Sequence, residues 1–197
     1  MVGWTERLKE WPSVNQRFNV APTTQVAAFR NTAGEAMRWG MIPSWSNSFE
    51  SKYATFNARI ETVDEKPTFR NAWKQSQRCL IPMAGYYEWS GAKGGKTPFY
   101  ITDRDTGGMV VAGLYESWGD DHLSCTILTM PANDQLVHIH PRMPIMLTPE
   151  SADNWLNGDA DKQSLVGSEP PNVIYYPVSK AVGNVRNDTP ELMEPID

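Results

Sequence analysis

Apolar and polar positions along the chain alternate in short stretches, and that pattern predicts many brief strands and few helices. Trp4, Leu8 and Trp11 have helical spacing that Pro12 ends, which reads as the tail of a helix. Val26-Ala27-Ala28-Phe29-Arg30 and Ala36-Met37-Arg38-Trp39-Gly40, separated by the turn chemistry of Asn31-Thr32-Ala33-Gly34, predict a hairpin. Residues from Met41 to Tyr53 leave the sheet with the composition of a loop. Ala54 to Thr62 is extended but densely polar, and strand alternation puts Asn57, Arg59 and Glu61 on one face opposite Phe56, Ala58 and Ile60. Phe69 and Trp73, four apart, give a helix over 67–76 its buried stripe, with Pro67 in the first turn.

Residues 79–130 read as a four-stranded antiparallel meander, its turns at 91–95, 105–108 and 119–121. The run Met109 to Tyr115 is apolar on both faces and therefore central. Pro131 to Val137 predicts a helix start that delivers His138 and His140 at its end. Met143 to Leu147 predicts a strand, Thr148-Pro149-Glu150 opens a helix through Trp155-Leu156, and Val173 to Val178 is a last strand. The segment Gly158 to Pro171 is polar, Ser179 to Asn187 gathers two cations and two amides in a loop, and the tail is expected to be ordered only in part.

The whole is an α+β pattern of 197 residues, enough for one domain with a full core, and 1–197 is taken as a single compact domain. Cys79 and Cys125 sit in apolar runs, which predicts buried, reduced thiols and no disulfide scaffold. With three histidines and no zinc-type spacing, no metal and no cofactor are expected. No apolar run approaches ~18 residues and the start has no signal-peptide core, which points away from a membrane and toward the cytoplasm or nucleoid space of a bacterium or its phage. A net charge of −5 means that any nucleic-acid contact rests on a local basic cleft. Eight tryptophans suit a core, and they also suit base stacking.

Two of the three histidines and an arginine fall in His138-Ile139-His140-Pro141-Arg142. Histidine titrates near neutral pH, and a fixed cation two residues away is a natural partner for phosphate or carboxylate. Pro141 puts His140 at the end of an element. A surface loop with a chance histidine pair, or a core histidine, fits the same residues. Glu88, between Tyr87 and Trp89, is either at a wet strand edge or buried where a carboxyl can act as acid or base. The polar face of Asn57, Arg59 and Glu61 needs water or a ligand, or it is a solvated face with an Arg59–Glu61 ion pair.

Asn19-Val20-Ala21-Pro22, Arg38-Trp39-Gly40-Met41-Ile42-Pro43-Ser44-Trp45, Asn57-Ala58-Arg59-Ile60-Glu61-Thr62, Arg78-Cys79-Leu80-Ile81-Pro82, Gly85-Tyr86-Tyr87-Glu88-Trp89, Ile139-His140-Pro141-Arg142-Met143-Pro144 and Val178-Ser179-Lys180-Ala181-Val182-Gly183-Asn184 occur in the order seen in the SOS-response-associated peptidase-like (SRAP) family, abasic-site processing proteins. The chain resembles that family over roughly residues 18–195. The resemblance implies antiparallel sheets in a barrel-like core, flanking helices, and a basic cleft that holds single-stranded DNA containing abasic sites. It implies that Asn57 hydrogen-bonds the opened sugar, Glu88 assists proton transfer, and His140 acts as acid or base on the sugar oxygen. Arg59 and Arg142 would hold flanking phosphates and Pro22 and Trp45 would support a kinked strand by base contact, with Asn19 in the same DNA-binding set. Family members use an N-terminal Cys to close a thiazolidine on the sugar aldehyde. Here position 2 is Val, position 4 is Trp, and Pro141 replaces the Asp usual after the histidine. The expectation is a family member whose first strand and part of its first helix are missing, the monomer favoured. The alternatives are a non-crosslinking DNA-binding relative, or a small peptidase or hydrolase using His140 and Glu88.

Overall fold

The computed structural model describes residues 4, 6–92, 94–167 and 171–196. Its strands are β1 (Gln25–Phe29), β2 (Gly34–Trp39), β3 (Asn57–Arg59), β4 (Arg78–Met83), β5 (Tyr86–Ser90), β6 (Thr97–Asp103), β7 (Met109–Trp118), β8 (His122–Pro131), β9 (Arg142–Pro144), β10 (Met146–Leu147) and β11 (Val173–Pro177). The α-helices are α1 (Arg70–Lys74), α2 (Pro149–Asn157) and α3 (Lys162–Gly167). At the N-terminal end, Leu8 and Arg7 N–H groups close one turn on the Trp4 carbonyl and both Trp4 and Leu8 are buried. Position 2 lies outside the described residues.

The β1–β2 hairpin forms in the expected register, with Val26 opposite Met37 and Ala28 opposite Glu35. The meander expected over 79–130 does not form. Arg78 to Ser90 is two strands in two sheets: β4 pairs with β1 and β7, whereas β5 pairs with β6. The chain turns between them at Ala84-Gly85, and a Cβ at Gly85 would meet the Ile101 carbonyl oxygen at 2.5 Å and the Tyr100 ring at 2.6 Å, so only glycine lets the strand cross there.

Because β1 pairs with β2 and β4, and β7 pairs with β4 and β8, five strands close on themselves in the order β1-β2-β8-β7-β4. The barrel is mixed: β2 and β3 both run parallel to β8, where the sequence predicted antiparallel sheets. Closure removes free edges from the core strands. Phe29, Met37, Leu80, Leu114 and Leu128 lie in the hydrophobic core built on the two faces of the barrel wall, at 0% exposure, and a fully buried side chain of this kind contributes about 1.5–3 kcal/mol. Cys79 and Cys125 are also buried there as free thiols. A second sheet, β11-β6-β5, is antiparallel and packs Tyr87, Trp89, Tyr100 and Tyr176 around Val178, Val182 and Leu192.

Where β7 and β8 diverge, the segment carrying β9 and β10 wedges between them. Ile145 N–H donates to the Leu128 carbonyl and the Ile145 carbonyl accepts from Ala112 N–H, each at 2.9 Å. This wedge fixes Arg142 and, just before it, His140 at one mouth of the barrel. The helix expected before it is a set of turns instead, with Val137 N–H on the Asn133 carbonyl and His140 N–H on the Leu136 carbonyl. α2 is the helix expected after it: Thr148 and Ser151 form a reciprocal capping box, Pro149 opens the first turn, and Gly158 closes it at φ 87°. α1 is shorter than the predicted 67–76, and α3 arises in the segment 158–171, read from the sequence only as polar. The described tail folds back on β11, where Ile196 N–H donates to the Pro177 carbonyl at 3.0 Å. No described helix is long and apolar enough to cross a membrane.

Candidate functional site

Strand alternation does what the sequence predicted at β3. Ala58 is buried at 1% exposure while Asn57 and Arg59 stand on the open face. Glu61 follows on a 3-10 turn, Ile60–Thr62, whose Ile60 is buried. These residues floor a cleft of about 710 Å³ lined also by Tyr53, Lys66, Phe69 and Arg142. The cleft holds three cations, Arg59, Lys66 and Arg142, against the single carboxylate of Glu61, so it is locally basic in an acidic chain.

Glu61 does not pair with Arg59. Its carboxylate takes both Nη atoms of Arg142, one contact at 3.0 Å from Nη2. Arg142 Nη2 also donates to the Thr129 carbonyl at 2.7 Å and to Thr129 Oγ1 at 3.2 Å. Register explains the meeting: Arg59 lies opposite Thr129 on β8, and Arg142 lies opposite Pro131 two residues on. The Arg142 hydrogen bond holds the Glu61 carboxyl below the usual carboxylate range.

His140 turns its Nδ1 back on its own segment, 3.2 Å from the Arg142 N–H that donates to it and 3.0 Å from the Arg142 carbonyl. Glu88 Oε2 lies 3.7 Å from the same nitrogen, too long for a hydrogen bond and within ion-pair range when the ring is protonated. Both side chains are part-exposed, at 38% and 26%. Ser90 on the same strand bonds the His138 carbonyl at 3.1 Å, which helps hold β5 to this loop. His138 itself points elsewhere, edge-on to Tyr175 with ring centroids 5.1 Å apart. The acid and the imidazole therefore adjoin. Asn57 belongs to the cleft, and Arg142 is the residue common to both groups.

Of the sequence-predicted site residues, Glu88, His140, Asn19, Pro22 and Trp45 fall outside the cleft lining. Asn19 is buried at 6% exposure and its Nδ2 donates to the carbonyls of Val182, Asn184 and Asn187. Its amide N–H groups are thus committed to the 182–187 loop, which Asn19 clamps. Asp188 completes that clamp, accepting from the N–H groups of Phe18 and Asn19 at 2.6 and 2.9 Å and from Arg17 Nε at 3.0 Å. The Asn19 N–H bond in particular keeps the Asp188 carboxyl below its usual range. Pro22 is half-buried in the turn before β1, and Trp45 stands 65% exposed on the loop after β2. That loop is tied down by Trp118 Nε1, which donates to the Ser46 carbonyl at 2.8 Å. Lys66, Tyr53 and Thr129 are site residues that sequence reasoning missed; nothing in their local pattern marks them. Among the described residues no group of three or more His, Cys, Asp or Glu could hold a metal ion.

The fold matches solved structures, at a TM-score of 0.77 and 27% identity for a Bordetella bronchiseptica protein (90% of this chain, 94% of that one). A Bacteroides thetaiotaomicron protein matches at 0.75 and 26%, over 88% of this chain and 82% of that one. The chain belongs to the SOS response associated peptidase (SRAP) family, whose model matches residues 3–185. Among its relatives are the abasic site processing protein YoqW of Bacillus subtilis, 37% identical over 90% of this chain and 85% of that one, and the abasic site processing protein YedK of Escherichia coli, 32% identical over 91% and 85%.

Proposed function

We propose that this chain binds single-stranded DNA at abasic sites, with the strand's phosphates in the cleft of Arg59, Lys66 and Arg142 and the opened sugar between Asn57 and the Glu88–His140 pair. The observation that carries the reading is the junction at Arg142, which faces the cation-lined cleft while its backbone, through the N–H or the carbonyl according to the ring's tautomer, holds the imidazole beside Glu88. Asn57 supplies an amide that both donates and accepts, suited to a sugar hydroxyl. His140 and Glu88 place an imidazole and a carboxylate side by side, suited to hydrogen bonding with the hydroxyl and aldehyde oxygens of an opened sugar. The relatives' names support the substrate, and a bacterial or phage cytoplasm suits it.

The covalent step known for the family requires an α-amine and a thiol on one residue. Neither cysteine of this chain offers that: Cys79 and Cys125 are internal and fully buried, and burial pushes the Cys125 thiol up to about 12. The 197-residue polypeptide is therefore expected to retain an abasic single strand without an adduct that survives heating on a denaturing gel. Fluorescence anisotropy against intact single-stranded, abasic single-stranded and duplex oligonucleotides tests the binding. The abasic single strand should bind tightest, and Arg59→Ala should weaken all three by about threefold to tenfold while flattening the salt dependence. Equal, salt-insensitive affinities would remove the reading, and a heat-stable adduct would overturn its non-covalent part.

A further inference from the structure

The cleft contains one feature that works against an anion. Its single carboxylate, Glu61, sits in the Arg142 fork, occupying both Nη atoms that a phosphate oxygen pair would take. Arg142 is nevertheless incompletely used: its Nε is enclosed and has no hydrogen-bond partner. The Glu61 side chain is 45% exposed against 19% for Arg142, so the carboxylate can leave for water while the guanidinium stays in place. Its backbone would remain fixed. Lys162 Nζ donates to the Glu61 carbonyl at 3.1 Å and reaches the Asp64 carboxylate, and Ile60 anchors the turn in the core. Arg59, two residues back on the same exposed face, offers the displaced carboxylate a second cation.

We propose that Glu61 is a displaceable stopper on Arg142: in the free protein it holds the donor pair that a DNA phosphate must take, and strand entry exchanges carboxylate for phosphate there. The inference rests on the reading of the cleft as the strand's site and adds an order of events. Arg59 and Lys66, which form no ion pair among the described residues, capture the strand first, and Arg142 engages after Glu61 lets go. A small carboxylate arrives without the neighbouring phosphates that Arg59 and Lys66 capture and leaves the stopper in place, so the device discriminates a phosphate backbone from small carboxylates.

The test is the affinity of Glu61→Gln for an unstructured single-stranded oligonucleotide across a salt series, beside wild type and Glu61→Gln/Arg142→Gln. Glutamine keeps one acceptor for Arg142 and removes the competing charge. Binding by Glu61→Gln should tighten about threefold to tenfold, with a salt slope steeper by about 0.7, because Arg142 then counts as one more phosphate partner over the whole series. The double variant should lose that gain and the added slope. A residue that merely positioned Arg142 would give the reverse, weaker binding with a flatter slope, and that result or an unchanged slope overturns the proposal. Thermal unfolding within about 3 °C of wild type certifies the fold, since an exposed ion pair contributes at most about 1 kcal/mol. If wild type binds and only the Glu61→Gln comparison fails, the stopper alone is wrong. If folded wild type binds no strand at any salt, the cleft assignment fails and the stopper with it.

Discussion

Trp155→Ala is expected to lower the thermal midpoint by about 10 °C or more, the largest stability loss of any single truncation on the α2 side of the barrel. Trp155 is at 0% exposure, and its indole N–H donates to the Cys79 carbonyl of β4 at 3.1 Å. The Arg78 guanidinium lies 4.3 Å from its ring centroid and Trp73 packs at 6.0 Å. Removing a buried Trp costs about 3–5 kcal/mol from the cavity and transfer terms. Here the ring also covers a buried cation: Arg78 is 7% exposed, burial lowers its pKa, and its Nη1 is held by the Trp155 and Ala160 carbonyls. Without the indole, water reaches that cation through a packing defect. Trp155→Phe should cost distinctly less, since it keeps most of the ring and loses the N–H bond. Calorimetric midpoints for the two variants check the ranking, and near-equal values would contradict it.

Arg142→Ala is expected to weaken single-stranded DNA binding by about 10- to 100-fold. Two effects add in the same direction. The phosphate loses a charge-assisted fork, about 1.5–3 kcal/mol for hydrogen bonds to a charged group. In addition Glu61, no longer paired, faces the incoming phosphate as a like charge. Adding Glu61→Gln to Arg142→Ala should therefore recover part of the loss, which a simple deletion of one contact would not allow. Arg142→Lys should fall between, because an ammonium keeps the charge and cannot span Glu61 and Thr129 at once. Anisotropy titrations of the three variants read this directly, and wild-type affinity in Arg142→Ala would contradict it.

Local signals made part of this molecule readable from its sequence. The β1–β2 hairpin and the Thr148–Ser151 cap are written in neighbouring residues, and both formed. The in-out alternation of Asn57, Ala58 and Arg59 was likewise readable, although the strand ends at Arg59 and a tight turn carries Glu61. What misled was continuity. Residues 79–89 look like one strand, and the crossing at Gly85 is imposed by Tyr100 and Ile101, which the local pattern does not reveal. Pro131, Asn133 and Asp134 resemble a helix start, but the wedge of β9 and β10 follows within a few residues and leaves room only for turns. α3 was missed because only Leu165 of its six residues is buried.

The site shows the same division. Residue types were readable, and partners were not. Arg59 and Glu61, two apart, suggest an ion pair, yet barrel closure brings Arg142 from 81 positions away into that place. Asn19 carries an amide that looks available for a ligand, and three carbonyls from a loop more than 160 residues on consume it. The Glu88–His140 juxtaposition depends on β5 leaving the barrel, the turn that the sequence concealed.

Imidazole ¹⁵N and side-chain amide NMR during titration with an abasic single-stranded oligonucleotide probes whether an amide, an acid and an imidazole serve one ligand. The chain has only three histidines, so His140 can be assigned by substitution. The resonances of His140 and Asn57 are expected to move together and saturate at one equivalent, while His122, stacked on Phe49, and His138, against Tyr175, stay in place. Movement of His122 or His138 with His140 and Asn57 unmoved would contradict this expectation.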